Sequence, residues 1–206
     1  MVAIIDYGAG NLKSVEKAFT YLGVESKITS SKEEILSASH VLLPGVGSFG
    51  EAMKKIRDAD LFDTIHEVIN DGVPFLGICL GLQLLFEESE ETPGVKGLGV
   101  FKGKVVKIPK TGDLKIPHMG WNSLELNREC PLFKGLPENP YVYFVHSYYP
   151  DAEDDGIVCA KTEYGVPLKV GAWKNNVFAM QFHPEKSSDI GLAMLKNFAS
   201  LKKGEI

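Results

Sequence analysis

The strongest constraint on this chain is a series of short runs that are apolar at almost every position, each followed by a segment with helical spacing. Val2–Ile5, His40–Leu43 and Val73–Ile78 are the clearest. A strand with one wet face alternates apolar and polar residues; a strand apolar throughout is buried on both faces. Val2–Ile5 ends at Tyr7-Gly8-Ala9-Gly10, and Leu12, Val15, Phe19 and Leu22 follow at helical intervals. Gly23 stands where a helix-ending glycine belongs. Val24–Ile28 reads as a second strand, and Ser31 with Glu34 fits a capping box opening a short helix through Leu36. His40–Leu43 runs into the turn Pro44-Gly45-Val46-Gly47. Helical patterns then cover Ala52–Ile56 and Leu61–Ile69, ahead of the strand Val73–Ile78. This alternation predicts an α/β fold with a mostly parallel central sheet flanked by helices.

The second half reads differently. Val100–Ile108, Tyr141–Tyr149, Gly156–Lys161, Val170–Lys174 and Val177–Phe182 are strand-like and closely spaced, with frequent proline and glycine between them. This predicts added antiparallel strands. A last helix places Ile190, Met194, Phe198 and Leu201 on one face, with Ser187, Ser188 or Asp189 as its cap. The 206 residues, with 44% hydrophobic content, suit one domain spanning 1–206. A net charge of −5 with no basic block argues against nucleic acid as the main partner. The N-terminus lacks the basic start of a signal peptide, and Val73–Phe86 is shorter than the ~20 residues of a bilayer span, so a cytoplasmic protein with no membrane partner is expected.

Gly77-Ile78-Cys79-Leu80-Gly81 follows a buried strand and opens a helical run. It has the form of a nucleophile elbow with cysteine in place of serine. The flanking glycines suit a sharp strand-to-helix turn, and a thiol at a helix N-terminus is biased toward thiolate. A buried structural cysteine is the plain alternative. Cys130 and Cys159 lack such a setting and read as structural. A nucleophile needs a base, and the base an orienting group. Gln181-Phe182-His183-Pro184-Glu185 supplies both, with Pro184 favouring an extended His183 and Glu185 in reach of the imidazole. Leu80 offers one oxyanion-hole amide, and the Val46–Gly47 segment is the natural source of the second. Gly45-Val46-Gly47-Ser48-Phe49-Gly50 also matches a dinucleotide fingerprint, but it follows the third strand and lacks the acid at the end of the next one. His118 and His146 lie in aromatic surroundings and either line a pocket or pack. No histidine pair or C-x-x-C has metal-ligand spacing, so neither a metal nor a cofactor is expected.

Taken together, these segments resemble the class I, triad-type glutamine amidotransferases. The Gly-Ile-Cys79-Leu-Gly elbow with Gln83, and Phe-His183-Pro-Glu185 some hundred residues on, carry the resemblance. Within that family the fullest match is to the glutaminase subunits of imidazole glycerol phosphate synthase, through Ile4–Leu12, Pro44–Gly50, Gln83–Glu87, Pro117–Asn122, Tyr143–Tyr148 and Phe182–Ser187. The resemblance implies Cys79 as nucleophile, with His183 and Glu185 completing the triad. It implies that Gln83, Glu91 and the Ser147–Tyr148 backbone hold the amino-acid end of glutamine. It implies a (βα)8-barrel cyclase subunit as obligate partner, with Asn11, Trp121, Tyr143 and Lys186 toward its face, and ammonia passing internally to the cyclase in histidine biosynthesis. Glutaminases of anthranilate, aminodeoxychorismate or pyridoxal phosphate synthesis are the nearest rivals. A cysteine peptidase on a similar sheet and a non-catalytic flavodoxin-like binding module are more distant ones.

Overall fold

The computed structural model describes residues 1–127 and 129–204. In chain order its elements are β1 (Val2–Ile5), α1 (Leu12–Tyr21), β2 (Ser26–Thr29), α2 (Lys32–Leu36), β3 (His40–Gly45), α3 (Phe49–Asp58), α4 (Phe62–Asn70), β4 (Phe75–Cys79) and α5 (Leu80–Leu84). There follow β5 (Glu88–Ser89), β6 (Gly103–Lys107), β7 (His118–Ser123), β8 (Glu125–Leu126), β9 (Tyr141–His146), β10 (Tyr148–Ala152), β11 (Val158–Glu163), β12 (Pro167–Lys174), β13 (Val177–Met180) and α6 (Ser188–Ala199).

The central sheet has the order β2-β1-β3-β4-β13-β12-β11-β8. From β2 to β13 the pairing is parallel; from β13 through β12 and β11 to β8 it is antiparallel. The apolar runs are explained by burial on both faces. In β1, Ala3 and Ile5 join a core with Met53, Ile56 and Ile65 of α3 and α4. Val2 and Ile4 join the opposite core with Val15, Phe19 and Phe198 of α1 and α6. The open parallel part places the carboxyl ends of β1, β3, β4 and β13 at one edge, where α/β sheets bind ligands.

The predicted elements are present, with shifted ends. Gly23 has φ +69, the left-handed geometry expected after a helix. The Ser31 hydroxyl caps α2 through the Glu34 amide, but the Glu34 carboxylate pairs with Lys27 instead of closing the capping box. Tyr141–Tyr149 is not one strand. It breaks at Ser147, so that β9 pairs antiparallel with β7 in a two-stranded sheet while β10 pairs with β6 in a separate small sheet. α6 ends at Ala199, and Leu201 lies beyond it, its carbonyl held by the His40 Nε2 of β3. Ser187 precedes α6, but its hydroxyl makes no cap; it donates to the His183 carbonyl and accepts from the Tyr143 amide. Among the described residues no helix is long and apolar enough to cross a membrane.

α6 is seated directly on the short 3-10 turn Pro184–Lys186. A Cβ on Gly191 would overlap the Pro184 carbonyl and stand 2.9 Å from the Pro184 Cα. Helix propensity alone makes Gly→Ala stabilising by up to ~1 kcal/mol. The steric contact reverses that sign here. Gly191→Ala is expected to lower unfolding free energy by about 2 kcal/mol, read from the midpoint of urea denaturation.

Candidate active site

Cys79 sits at the junction of β4 and α5 with φ 56 and ψ −109. A non-glycine residue in that region costs of order 1–3 kcal/mol and persists only where its surroundings over-determine it. Here they do so through two glycines. A Cβ on Gly81 would overlap the Leu43 carbonyl of β3, and one on Gly77 would lie 2.8 Å from the Gly81 carbonyl. Neither position admits a side chain, so the tight turn turns the Cys79 side chain out of the sheet. Its Leu80 amide, at the first position of α5, has no partner within the helix and is free to face a developing oxyanion.

The end of β3 runs alongside, with Gly45 in register with Cys79. Gly45 is packed against the Tyr7 hydroxyl and the Leu80 Cβ, and Tyr7 Oη donates to the Pro44 carbonyl at 3.0 Å. Burial, assisted by Cys79, pushes the Tyr7 phenol above its ordinary pKa, which keeps it a donor. Gly47 has φ +106 with open space where a Cβ would go, so backbone angle and not room is what calls for glycine there. Glu91 reaches the same segment, but one of its carboxylate oxygens accepts from the Phe49 amide at 2.7 Å, at the start of α3.

His183 and Glu185 lie beyond β13. His183 is extended (φ −103, ψ 95), as the following proline dictates. Its Nδ1 lies 2.8 Å from Glu185 Oε1, and both side chains are almost fully buried. Its Nε2 is buried with no partner within hydrogen-bond reach. Burial pulls the His183 pKa down, but the Cys79 sulfur and the Glu185 carboxylate outweigh it and hold the imidazole at about 9. His183 therefore carries its proton at neutral pH. The loop is tied to β9 by the His183 amide donating to the Tyr143 carbonyl at 3.0 Å and by the Ser187 hydroxyl.

Val46, Gly47, Cys79, Leu80, Gln83, Glu91, Ser147, Tyr148 and His183 all line a cavity of ≈ 380 Å³, together with Pro117, Val145 and His146. Nine residues singled out from sequence thus converge on it. Glu185 stands behind His183, outside the lining. The remaining four form a second group behind the triad. Asn11, left-handed at φ 68, donates from Nδ2 to Glu185 Oε1 at 3.0 Å, so it holds the triad carboxylate whatever else it touches. Tyr143 bonds the His183 loop, Trp121 packs edge-on against Tyr143, and Lys186 is exposed on the Glu185 turn. Cys130 and Cys159 are buried free thiols of the α1–α6 core that do not line this cavity, and burial pushes the Cys159 thiol up.

Sequence reasoning missed Gln181. It is fully buried, accepts from Gln83 Nε2 at 3.1 Å and donates from Nε2 toward Cys79 Sγ at 3.7 Å. A polar residue at the end of an otherwise apolar strand, two positions before the histidine, was the available signal.

A cysteine on a strained strand-to-helix turn, a buried His–Glu pair and a shared cavity at the carboxyl edge of an open α/β sheet define a thiol-dependent acyl-transfer site. The model of the class-I glutamine amidotransferase family matches residues 3–201, and the chain belongs to that family. It is 52% identical over 201 residues to the imidazole glycerol phosphate synthase subunit HisH of Methanocaldococcus jannaschii, covering 98% of this chain and 100% of that one. The HisH subunit of Bacillus cereus is likewise 52% identical over 198 residues, covering 96% and 93%. Among solved structures, PurLQS of Thermotoga maritima superposes with a TM-score of 0.76 at 19% identity over 96% of each chain, a likeness of fold.

The charge state of His183 is directly measurable. Its imidazole is expected to titrate near 9 by NMR, and removing either supporting group, in Cys79→Ala or Glu185→Gln, is expected to lower that value, because burial then acts with less opposition. An unchanged value in both variants would contradict the assigned causes.

Proposed function

We propose that this chain is the glutaminase subunit of imidazole glycerol phosphate synthase, acting as one amidotransferase domain beside a cyclase subunit. The observation that carries the reading is His183, its Nε2 unpaired, lining one cavity with a strained Cys79, on a chain about half identical over nearly its full length to HisH subunits.

In this reading the Cys79 sulfur attacks the side-chain carbonyl carbon of glutamine. The carbonyl π electrons move onto oxygen, which faces the Leu80 amide and the Val46–Gly47 backbone. Collapse of this intermediate breaks the C–N bond, and His183 delivers its Nε2 proton to the departing amide nitrogen, which leaves as ammonia. The glutamyl thioester remains on Cys79. His183, now neutral, takes a proton from water, whose oxygen adds to the thioester carbon. Expulsion of the thiolate releases glutamate and restores the starting state. Glu185, held by Asn11, fixes the ring and stabilises its charged form.

Both Nε2 protons of Gln83 are committed, one to the Tyr148 carbonyl at 3.2 Å and one to Gln181 Oε1. Its own carbonyl oxygen is thus the group left for a ligand, an acceptor suited to the α-ammonium of glutamine. The two-stranded β7–β9 sheet supports a docked partner. It exposes Met119 at 62%, Trp121 at 53% and Tyr141 at 60%, an apolar patch beside the Asn11–Tyr143–Lys186 group. A (βα)8-barrel cyclase covering it would receive ammonia directly; ammonia released to neutral water is mostly protonated and no longer nucleophilic. The cyclase would then build imidazole glycerol phosphate for histidine biosynthesis.

Glutamate release from glutamine is expected to rise on adding the cyclase subunit and its ribonucleotide; no stimulation would overturn the assigned partner. Cys79→Ala is expected to cut glutamine hydrolysis by on the order of a thousandfold or more while ammonia-dependent cyclisation by the complex survives. Trp121→Ala is expected to weaken subunit association roughly thirtyfold in a titration binding assay, as removal of a large aromatic anchor does.

A further inference from the structure

His118 of β7 and His146 of β9 are register partners across the two-stranded sheet, both buried, with His118 Nδ1 3.0 Å from His146 Nε2. Their protons can be assigned from both ends of the chain they form. At one end, His146 Nδ1 lies 2.9 Å from the Tyr148 carbonyl, which only accepts, so Nδ1 carries the proton and Nε2 does not. His146 Nε2 must then accept from His118 Nδ1–H. At the other end, Asn122 Oδ1 accepts from the Ser123 amide and Asn122 Nδ2 donates to the Glu163 carbonyl, which fixes the amide orientation. The same Nδ2 lies 3.3 Å from His118 Nε2, which therefore accepts and is unprotonated. The two assignments agree. Burial independently holds both imidazoles far below their ordinary pKa, at about 4 for His118 and about 3 for His146. Phe144 and Tyr164 stack on His118 at 4.6 and 4.0 Å between ring centroids, fixing its plane.

The chain does not stop at Tyr148. That carbonyl takes a second hydrogen bond from Gln83 Nε2, whose other proton goes to Gln181, which in turn donates toward Cys79 Sγ. A carbonyl has two lone pairs, and here both are occupied, one by the histidine pair and one by Gln83. We propose that His118 and His146 are positioning residues of the glutaminase, locked as two neutral Nδ1–H imidazoles that fix the Tyr148 carbonyl and through it the orientation of the Gln83 amide. This rests on the glutaminase reading above. Among the described residues, neither histidine hydrogen-bonds the Cys79 sulfur, which Gln181 faces instead. The pair's effect is on how Gln83 meets the substrate's amino-acid end, and hence on glutamine affinity more than on the chemical step.

Two measurements test this. In nitrogen-15 imidazole NMR at neutral pH, both residues are expected as neutral Nδ1–H tautomers; an Nε2–H or cationic form of either would overturn the relay. In the complex with the cyclase subunit, His146→Leu is expected to raise the KM for glutamine about tenfold with a smaller change in kcat, the size of one lost hydrogen bond. His146→Asn keeps an amide donor near the Nδ1 position and is expected to recover most of that loss. His118→Phe preserves the ring stack but removes the donor, and is expected to raise KM by a smaller factor. An unchanged KM in His146→Leu, or equal losses in the leucine and asparagine variants that follow thermal stability alone, would overturn the proposal. Absence of glutamine hydrolysis by the wild-type complex would instead overturn the functional reading, and the tautomer measurement would still decide the relay.

Discussion

The contact of Gly81 with the Leu43 carbonyl is what the rest of the site depends on. It lets the β4–α5 junction sit tightly against β3, which forces Cys79 into a positive-φ conformation and brings Gly45 into register beside it. A side chain at residue 81 would push the two strands apart and lose both the turned-out thiol and the neighbouring oxyanion segment. The strain at Cys79, of order 1–3 kcal/mol, is sustained because the sheet on both sides is buried by helices and cannot relax locally.

Around that contact, the parallel strands act as a common base from which short loops reach one place. The loop after β1 contributes Tyr7 and Asn11, the loop after β3 contributes Val46 and Gly47, and the loop after β13 contributes His183 and Glu185. Three hydrogen bonds tie them down: Tyr7 joins the loop after β1 to Pro44 of β3, Asn11 joins that loop to Glu185, and the His183 amide joins the loop after β13 to Tyr143 of β9. His183 and Glu185 are thus held from behind by Asn11 and by Tyr143, which lies against Trp121 of the exposed β7–β9 patch. A partner on that patch would bear directly on the elements that hold His183 and Glu185.

Much of this was legible in the chain. The doubly apolar runs dictated a sheet covered on both faces, because no other arrangement removes both sides of such strands from water. The elbow glycines and the His-Pro-Glu run mark candidates for nucleophile and base, because their steric and conformational demands are local. What local pattern could not convey was connection between distant segments. Tyr141–Tyr149 reads as one strand, since nothing in its apolar pattern marks Ser147 as the point where the chain leaves one sheet for another. Nor does residue type at Asn11 convey that its amide holds a carboxylate 174 positions away.

The α/β class, a cysteine able to act as nucleophile and a histidine–carboxylate pair able to serve it are therefore readable from the chain alone, because steric and backbone constraints act over a few residues. Three-dimensional packing settles that Gln181 faces the thiol, that one oxygen of Glu91 is occupied by the start of α3, and that His118 and His146 form a directed pair and not two separate packing residues. Those outcomes depend on which donors meet which acceptors once strands far apart in the chain are brought side by side, and residue type alone does not encode that meeting.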